Sequence, residues 1–232
     1  VDPADREALK AAVAQASALL VTAPPDADGC PGLRTVGDLL KTPTDGWLGY
    51  VSSTSVYGDR GGGWVLEDGE LNAPTIEGAR RTAAEAAWRA LGAHVFRLPA
   101  IYGPGRSILD RLRDGSARLV SKPGQVFNRI HVEDVASGLM ASLARPRPGA
   151  VYNLTDDAPA AADTVTAWAA ERLGLPQPPR TGLDDPAVSD AMRRFYRDSK
   201  RVSNALAKAE LGWRPAYPSW REGLEAILAA EG

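Results

Sequence analysis

Four consecutive hydroxyl residues, Ser52, Ser53, Thr54 and Ser55, close the apolar stretch Trp47-Leu-Gly-Tyr-Val51. Hydroxyls at the end of a buried strand can orient a substrate oxygen or satisfy local backbone, and residue type alone leaves both open. A Ser-His-Asp hydrolase would place its serine on a Gly-x-Ser-x-Gly elbow, which the chain lacks. Two histidines and one cysteine give no ligand set for a structural zinc, so no metal site is expected. His94 falls on a core strand, and His131 reads as a packed strand histidine. Glu77 and Arg81 share one face of a helix at i, i+4, as an exposed ion pair or as a pair facing a site. Thr22, Ala23 and Pro24 follow an apolar run, at the end of a strand where open parallel sheets bind ligands. Gly61, Gly62 and Gly63 lead into Trp64-Val-Leu rather than a helix, and so read as a surface loop rather than a pyrophosphate turn. The basic run Arg193-Arg-Phe-Tyr-Arg197, with Lys200 and Arg201, reads as a solvated helix face, with a substrate mouth as the alternative.

These groups must be carried by an alternation of strands and helices, the pattern of a parallel sheet with crossover helices. The expected order opens with a helix over 1–16, with Asp2 as its N-cap and Pro3 at its first position. Strands follow at 18–22, 47–52, 94–98, 128–132 and 150–154, with a short one at 118–120. Helices are expected at 35–40, 76–91, 107–114 (capped by Ser107), 134–143 (capped by Asp134), 161–173, 200–211 and 219–230. Residues 59–74 and 175–186, rich in glycine or proline, read as loops.

The 232 residues are 44% hydrophobic and 24% charged, within the ordinary globular range, with a formal net charge of -2. No basic field favours nucleic acid or an acidic membrane, and no apolar stretch is long enough to span a bilayer. The single cysteine, Cys30, excludes an internal disulfide and fits a reducing compartment. With no secretory signal pattern, a soluble cytoplasmic protein acting on a small molecule is the expectation.

Four blocks carry a family resemblance: Tyr50-Val-Ser-Ser-Thr-Ser-Val-Tyr-Gly-Asp59, Arg97-Leu-Pro-Ala-Ile-Tyr-Gly-Pro-Gly105, Asn128-Arg-Ile-His-Val-Glu-Asp-Val135 and Glu210-Leu-Gly-Trp-Arg-Pro215. In this order and spacing the chain resembles the extended short-chain dehydrogenases/reductases of the NAD-dependent epimerase/dehydratase family, in an atypical form. The resemblance implies an α/β fold, a Rossmann-like parallel sheet flanked by helices with a small C-terminal substrate lobe. It implies a dinucleotide domain over 1–158, of which 106–125 contributes to the substrate lobe, and a C-terminal substrate lobe over 159–232.

It further implies NAD or NADP as cofactor and a small hydroxyl- or carbonyl-bearing substrate, a sugar nucleotide among the candidates. Ser53 takes the catalytic position and would orient the substrate oxygen. Thr22, Ala23 and Pro24 would lie over the adenosine half of the cofactor. Ser52, Arg81, Pro99, Ala100 and Ile101 would contact its nicotinamide and ribose. Thr54, Ser55, Arg106 and Arg129 are the implied substrate contacts, the two arginines as anion anchors. A homodimer through the helix at 76–91 is among the assemblies that relatives form.

Two departures bear on chemistry. The family's first strand, Gly-rich turn and helix are not in this sequence, and the expectation is that this unit of roughly 30 residues belongs to a longer parent chain. The family's Tyr-x-x-x-Lys is also missing: Glu77 and Arg81 stand at its two positions. Glu77 beside Arg81 would be held ionised, a poor acid at neutral pH. Arg81 could donate to ribose hydroxyls but not give up its proton. A non-catalytic cofactor-binding or scaffold protein is therefore the alternative to an oxidoreductase or epimerase.

Overall fold

The computed structural model describes residues 2, 4–40, 46–186 and 188–231. In chain order the elements are α1 (Arg6–Gln15), β1 (Ala18–Val21), α2 (Pro31–Val36), β2 (Trp47–Ser53), β3 (Trp64–Val65), α3 (Ile76–Ala90), β4 (His94–Leu98), β5 (Ala100–Tyr102), α4 (Ile108–Arg113), β6 (Leu119–Val120), β7 (Arg129–His131), α5 (Val132–Ala144), β8 (Val151–Asn153), α6 (Ala162–Arg172), β9 (Arg180–Thr181), α7 (Asp190–Phe195), β10 (Arg201–Val202), α8 (Ala205–Leu211) and α9 (Trp220–Glu231). Short 3-10 turns at Gly37–Leu39 and Thr54–Tyr57 follow α2 and β2.

The main sheet is parallel, in the order β1-β2-β4-β8, with helices on both faces. Alternation along the strands decides which side chain meets which layer. Leu48, Tyr50 and Val95 turn toward α3, where Tyr50 stacks on Trp88 at 5.9 Å between ring centroids. Phe96, Leu98 and Tyr152 turn the other way and pack with Leu211 and Trp213. A second core, with Leu109, Leu112, Val165, Ala169, Trp220 and Leu224, joins α4, α6 and α9 into a distinct lobe beside the carboxyl ends of the strands. Three two-stranded parallel ladders, β3–β10, β5–β7 and β6–β9, tie the lobe segments together. Among the described residues no helix is long and apolar enough to cross a membrane.

Several element expectations change. The N-cap of α1 is Asp5, whose carboxylate accepts from the Ala8 N–H at 3.0 Å; Asp2 instead accepts from Ala4, and Pro3 lies outside the described residues. The helix expected at 35–40 starts earlier, at Pro31, and tightens to a 3-10 turn from Gly37. The loops expected at 59–74 and 175–186 each hold a two-residue strand, β3 and β9. The helix expected from 200 starts at Ala205, because Arg201 and Val202 pair with β3 and the Val202 N–H donates to Asn128 Oδ1 at 2.8 Å. The cap of α5 is His131, whose Nδ1 accepts from Glu133, rather than Asp134. The buried Asp134 carboxylate takes the N–H groups of Ala216 and Tyr217 at 2.6 and 3.1 Å and so pins the segment leading into α9.

Candidate functional site

Ser53 ends β2 at the carboxyl edge of the sheet and caps the following 3-10 turn, its Oγ accepting from the Ser55 N–H at 3.2 Å. The hydroxyl proton is therefore left to donate elsewhere. Its neighbour Ser52 faces inward. Buried at 3% exposure, it donates to Glu85, which is held by Arg97 through Nη2 at 2.8 Å and Nε at 3.2 Å. Arg97 also donates to Tyr57 Oη at 2.8 Å and to the Glu67 carbonyl at 2.9 Å, while Tyr57 donates to Asn153. Two charges taken from water demand this degree of pairing. The cluster links β2, α3, β4 and β8 directly beneath Ser53.

Ser53, Thr54 and Ser55 open onto a cavity of about 590 Å³ that Arg81, Pro99 and Ala100 also line. Arg81 reaches back to the Val51 carbonyl at 3.5 Å and makes no ion pair with Glu77 among the described residues, so the exposed-pair expectation is not met. A second cavity, about 550 Å³, holds Ile101, Arg106 and Arg129, and Ala100, Phe127 and Phe195 stand between the two. Thr22, Ala23 and Pro24 lie just past the end of β1 and line neither cavity. Ser52 lines neither, for the reason given above.

The segment from Arg193 to Arg201, for which a substrate mouth was the alternative to a solvated helix face, contributes to the first cavity. Lys200 is buried in the wall of the first, donating to the Gly58 carbonyl at 2.6 Å and to Asp198 at 3.4 Å; burial pulls its pKa below the usual lysine value. Arg194 and Arg197 line the same wall, so the basic run includes the mouth of a cavity as well as a helix surface. The signal lay inside that run: Phe195 and Tyr196 are adjacent aromatics, and a solvated face has no use for both. Tyr196 is buried and donates to the Val120 carbonyl at 2.9 Å.

In the second cavity Arg129 donates through Nη1 to the carbonyls of Phe127 and Ala160, at 3.2 and 3.1 Å, and burial lowers its pKa. Tyr102, at 8% exposure, has no hydrogen-bond partner for its hydroxyl. Nearby Asp156 accepts from Ala158 through Oδ1 and leaves Oδ2 unpaired; burial pushes its carboxyl up to about 7. No group of three or more metal-binding side chains is gathered among the described residues.

No protein-family model matches the chain. It is 32% identical over 142 residues to a 3-diazoavenalumate denitrifying reductase from a Streptomyces species, a match covering 56% of this chain and 45% of that protein. The chain thus spans less than half the length of that relative. It is 30% identical over 218 residues to Protein YeeZ of Escherichia coli K12, covering 89% of this chain and 74% of YeeZ. Among solved structures, a functionally unknown conserved protein from Silicibacter pomeroyi superposes with a TM-score of 0.90 at 43% identity, over 99% of this chain and 88% of that one. A dTDP-glucose 4,6-dehydratase from Bacillus anthracis in complex with NAD superposes with a TM-score of 0.79 at 21% identity, over 100% and 78% of the two chains.

Proposed function

We propose that this chain, which belongs to one family with YeeZ and shares the fold of a dTDP-glucose 4,6-dehydratase, is an epimerase/dehydratase-like short-chain dehydrogenase/reductase, an NAD- or NADP-dependent oxidoreductase or epimerase acting on a small hydroxyl- or carbonyl-bearing substrate. The observation that carries the reading is the Ser53 hydroxyl, held at the carboxyl end of the central strand and opening onto a cavity bounded by Pro99, Ala100 and Arg81.

That cavity fits the nicotinamide half of a dinucleotide: it has the volume, an arginine at one side and strand-end backbone at the other. When bound, the dinucleotide gives or takes a hydride. Ser53 donates its uncommitted proton to the substrate oxygen and orients the reacting carbon. Arg81 holds ribose hydroxyls, and the backbone of Pro99, Ala100 and Ile101 faces the carboxamide. Thr22, Ala23 and Pro24 support the adenosine half from the end of β1. Thr54, Ser55, Arg106 and Arg129 meet the substrate. Ser52 acts indirectly, seating the strand on Glu85. A relative that is a reductase and a fold neighbour in complex with NAD support this reading.

One observation favours a second reading, a non-catalytic NAD(P)-binding or scaffold protein. Glu77 and Arg81 occupy the Tyr-x-x-x-Lys positions, and the nearby phenols are sealed: Tyr57 within the Arg97 cluster and Tyr50, fully buried, on Trp88. Calorimetric titration of NAD+ and NADP+ into this chain and into a longer parent chain carrying the family's first strand, Gly-rich turn and helix, followed by turnover of a panel of small aldehydes, ketones and nucleotide sugars, separates the two. The enzyme reading expects cofactor binding, and a loss of about 100-fold or more in kcat for Ser53→Ala with cofactor affinity unchanged. Cofactor binding without turnover leaves the scaffold, and binding of neither dinucleotide by either chain removes the proposal.

A further inference from the structure

We propose that the Ser53 cavity takes a substrate with one terminal oxyanion, a phosphate or a carboxylate, held by Arg194 and Arg197 at the cavity mouth. That this ligand is the substrate rests on the reading of the Ser53 cavity as the site of hydride transfer; that it binds does not.

The arginines of the basic segment divide into two kinds. Arg193 donates to the carbonyls of Leu183 and Asp185 at 2.9 and 2.7 Å and to the carboxylate of Asp190 at 3.2 Å. Arg201 donates to the Gly62 carbonyl, and neither of these two lines the cavity. Arg194 and Arg197 do line it, and both are exposed. Neither side chain has an ion-pair or hydrogen-bond partner among the described residues. The uncommitted guanidiniums are thus the ones at the cavity, and each offers a fork of donors that matches two oxygens of a carboxylate or phosphate.

The backbone that carries them is clamped from both sides. Tyr196, between the two, donates from its phenol to the Val120 carbonyl at 2.9 Å and accepts at its own carbonyl from Lys122 Nζ at 2.7 Å. The Asp198 carbonyl accepts from Gln125 Nε2 at 2.6 Å, and the Ser199 N–H donates to the Asp59 carboxylate at 2.7 Å. Phe195 is stacked on the buried Phe127 at 4.7 Å between ring centroids. A solvated helix face needs no such mounting, whereas two donors fixed three positions apart lower the ordering cost of binding a ligand.

The other charges of the cavity offset one another. Lys200 lies 3.4 Å from Asp198, and Arg81 and Glu77 carry opposite charges on α3. Two positive charges are left unmatched at the mouth, where a cleft concentrates their field. Ala100, Phe127 and Phe195 stand where this cavity meets the second one. An anion in the middle of a longer molecule, such as the diphosphate of a nucleotide sugar, would lie against that apolar partition. An anion at the end of the molecule stays on the arginines, and Arg106 and Arg129 in the second cavity are left to meet the end that bears no charge.

The test is calorimetric titration of this chain with glycerol 3-phosphate, glycerate, glycerol and UDP-glucose. It is repeated on Arg194→Gln, Arg197→Gln, the double variant and Arg180→Gln, the last removing an exposed charge that lines neither cavity. Arg194 and Arg197 support no other side chain, so their variants keep the fold, and a melting curve checks this. The expected result is saturable binding of at least one of the two anions, phosphate or carboxylate being told apart by which is tighter. Each single variant should weaken it about fivefold and the double about tenfold or more, with Arg180→Gln unchanged. No saturable binding of either anion at about 10 mM, equal affinity for glycerol, an unchanged affinity in the double variant, or an equal loss in Arg180→Gln each overturns the proposal. So does tighter binding of UDP-glucose than of glycerol 3-phosphate, and so does displacement of the anion by NAD+ or NADP+, which would assign the arginines to the cofactor. Anion binding in a chain whose longer parent binds no dinucleotide sinks the oxidoreductase and leaves this site standing; dinucleotide binding without anion binding does the reverse.

Discussion

Replacing Glu85 with Gln tests whether the buried charge cluster holds up the Ser53 strand. Glu85 and Arg97 have side-chain exposures of 2% and 3%, and the carboxylate receives three Arg97 N–H contacts between 2.8 and 3.2 Å in addition to Ser52 Oγ. Glutamine keeps the shape and one acceptor but leaves the guanidinium buried without a counter-ion. Removing one partner of such a pair costs about 3–5 kcal/mol. In a chain of this length that corresponds to a fall of roughly 6–20 °C in Tm.

Urea unfolding of Glu85→Gln, Arg97→Met and the pair Glu85→Met with Arg97→Met reads the effect directly. Each single replacement should lower stability by about 3 kcal/mol or more, and the double should recover part of it, because no charge is then left unpaired. Ser52 is the Cα partner of Arg97 and Ser53 that of Leu98, so slackening the cluster also loosens the strand end bearing Ser53. A loss under about 1 kcal/mol in Glu85→Gln would show that the guanidinium reaches water and that the cluster is not the anchor inferred here.

Gly58 has φ 67° and ψ -161°, and a Cβ there would sit 1.9 Å from the Asn72 carbonyl oxygen, so Gly58→Ala should cost about 3 kcal/mol or more in urea unfolding; a loss below about 1 would contradict the turn geometry. Asp156, pushed up to about 7 in the folded chain from an ordinary 3.8, keeps a proton that the unfolded chain releases. Stability should therefore fall as pH rises from about 4 to about 7, by roughly 4 kcal/mol at most, and Asp156→Asn should flatten that slope. His94 is buried between the Leu48 carbonyl at Nδ1 and the Arg147 N–H at Nε2, and burial lowers its pKa. Its contribution is whole above about 6.5 and is lost as pH falls below that, a limb that His94→Gln should remove from the stability profile.

How far the sequence was legible depended on whether the determining interaction was local. The strand at 94–98 and the Ser107 cap of α4 were readable because apolar runs and cap signals act within a few residues. The two-residue strands were not, since Trp64 and Arg201 pair across more than 130 positions and neither segment carries a strand pattern by itself. Asp134 looked like a cap for the same reason: it sits where a helix begins, and only the chain's return at Ala216 reveals its partners. Ser52 could not be told from Ser53 by type. Their separation, one onto Glu85 and one toward the cavity, follows from the alternation of a strand whose register the sequence leaves implicit.

The proton is where the proposed chemistry departs furthest from the family pattern, and the structure narrows its source. Tyr57 accepts from Arg97 and donates to Asn153, so both functions of its hydroxyl are already committed inside the cluster. Tyr50 is fully buried against Trp88, and burial pushes its phenol up to about 12, out of range for exchange near neutral pH. The proton carriers that do line the Ser53 cavity are Glu77, Asp198 and Lys200, together with water entering through its mouth. Of these, Lys200 is held in a fixed position by the Gly58 carbonyl at the end of the Ser53 turn, and burial lowers its pKa. A chain that reduces a carbonyl here must draw its proton from that set, whose access to solvent makes the transfer sensitive to pH in a way that a sealed phenol would not be.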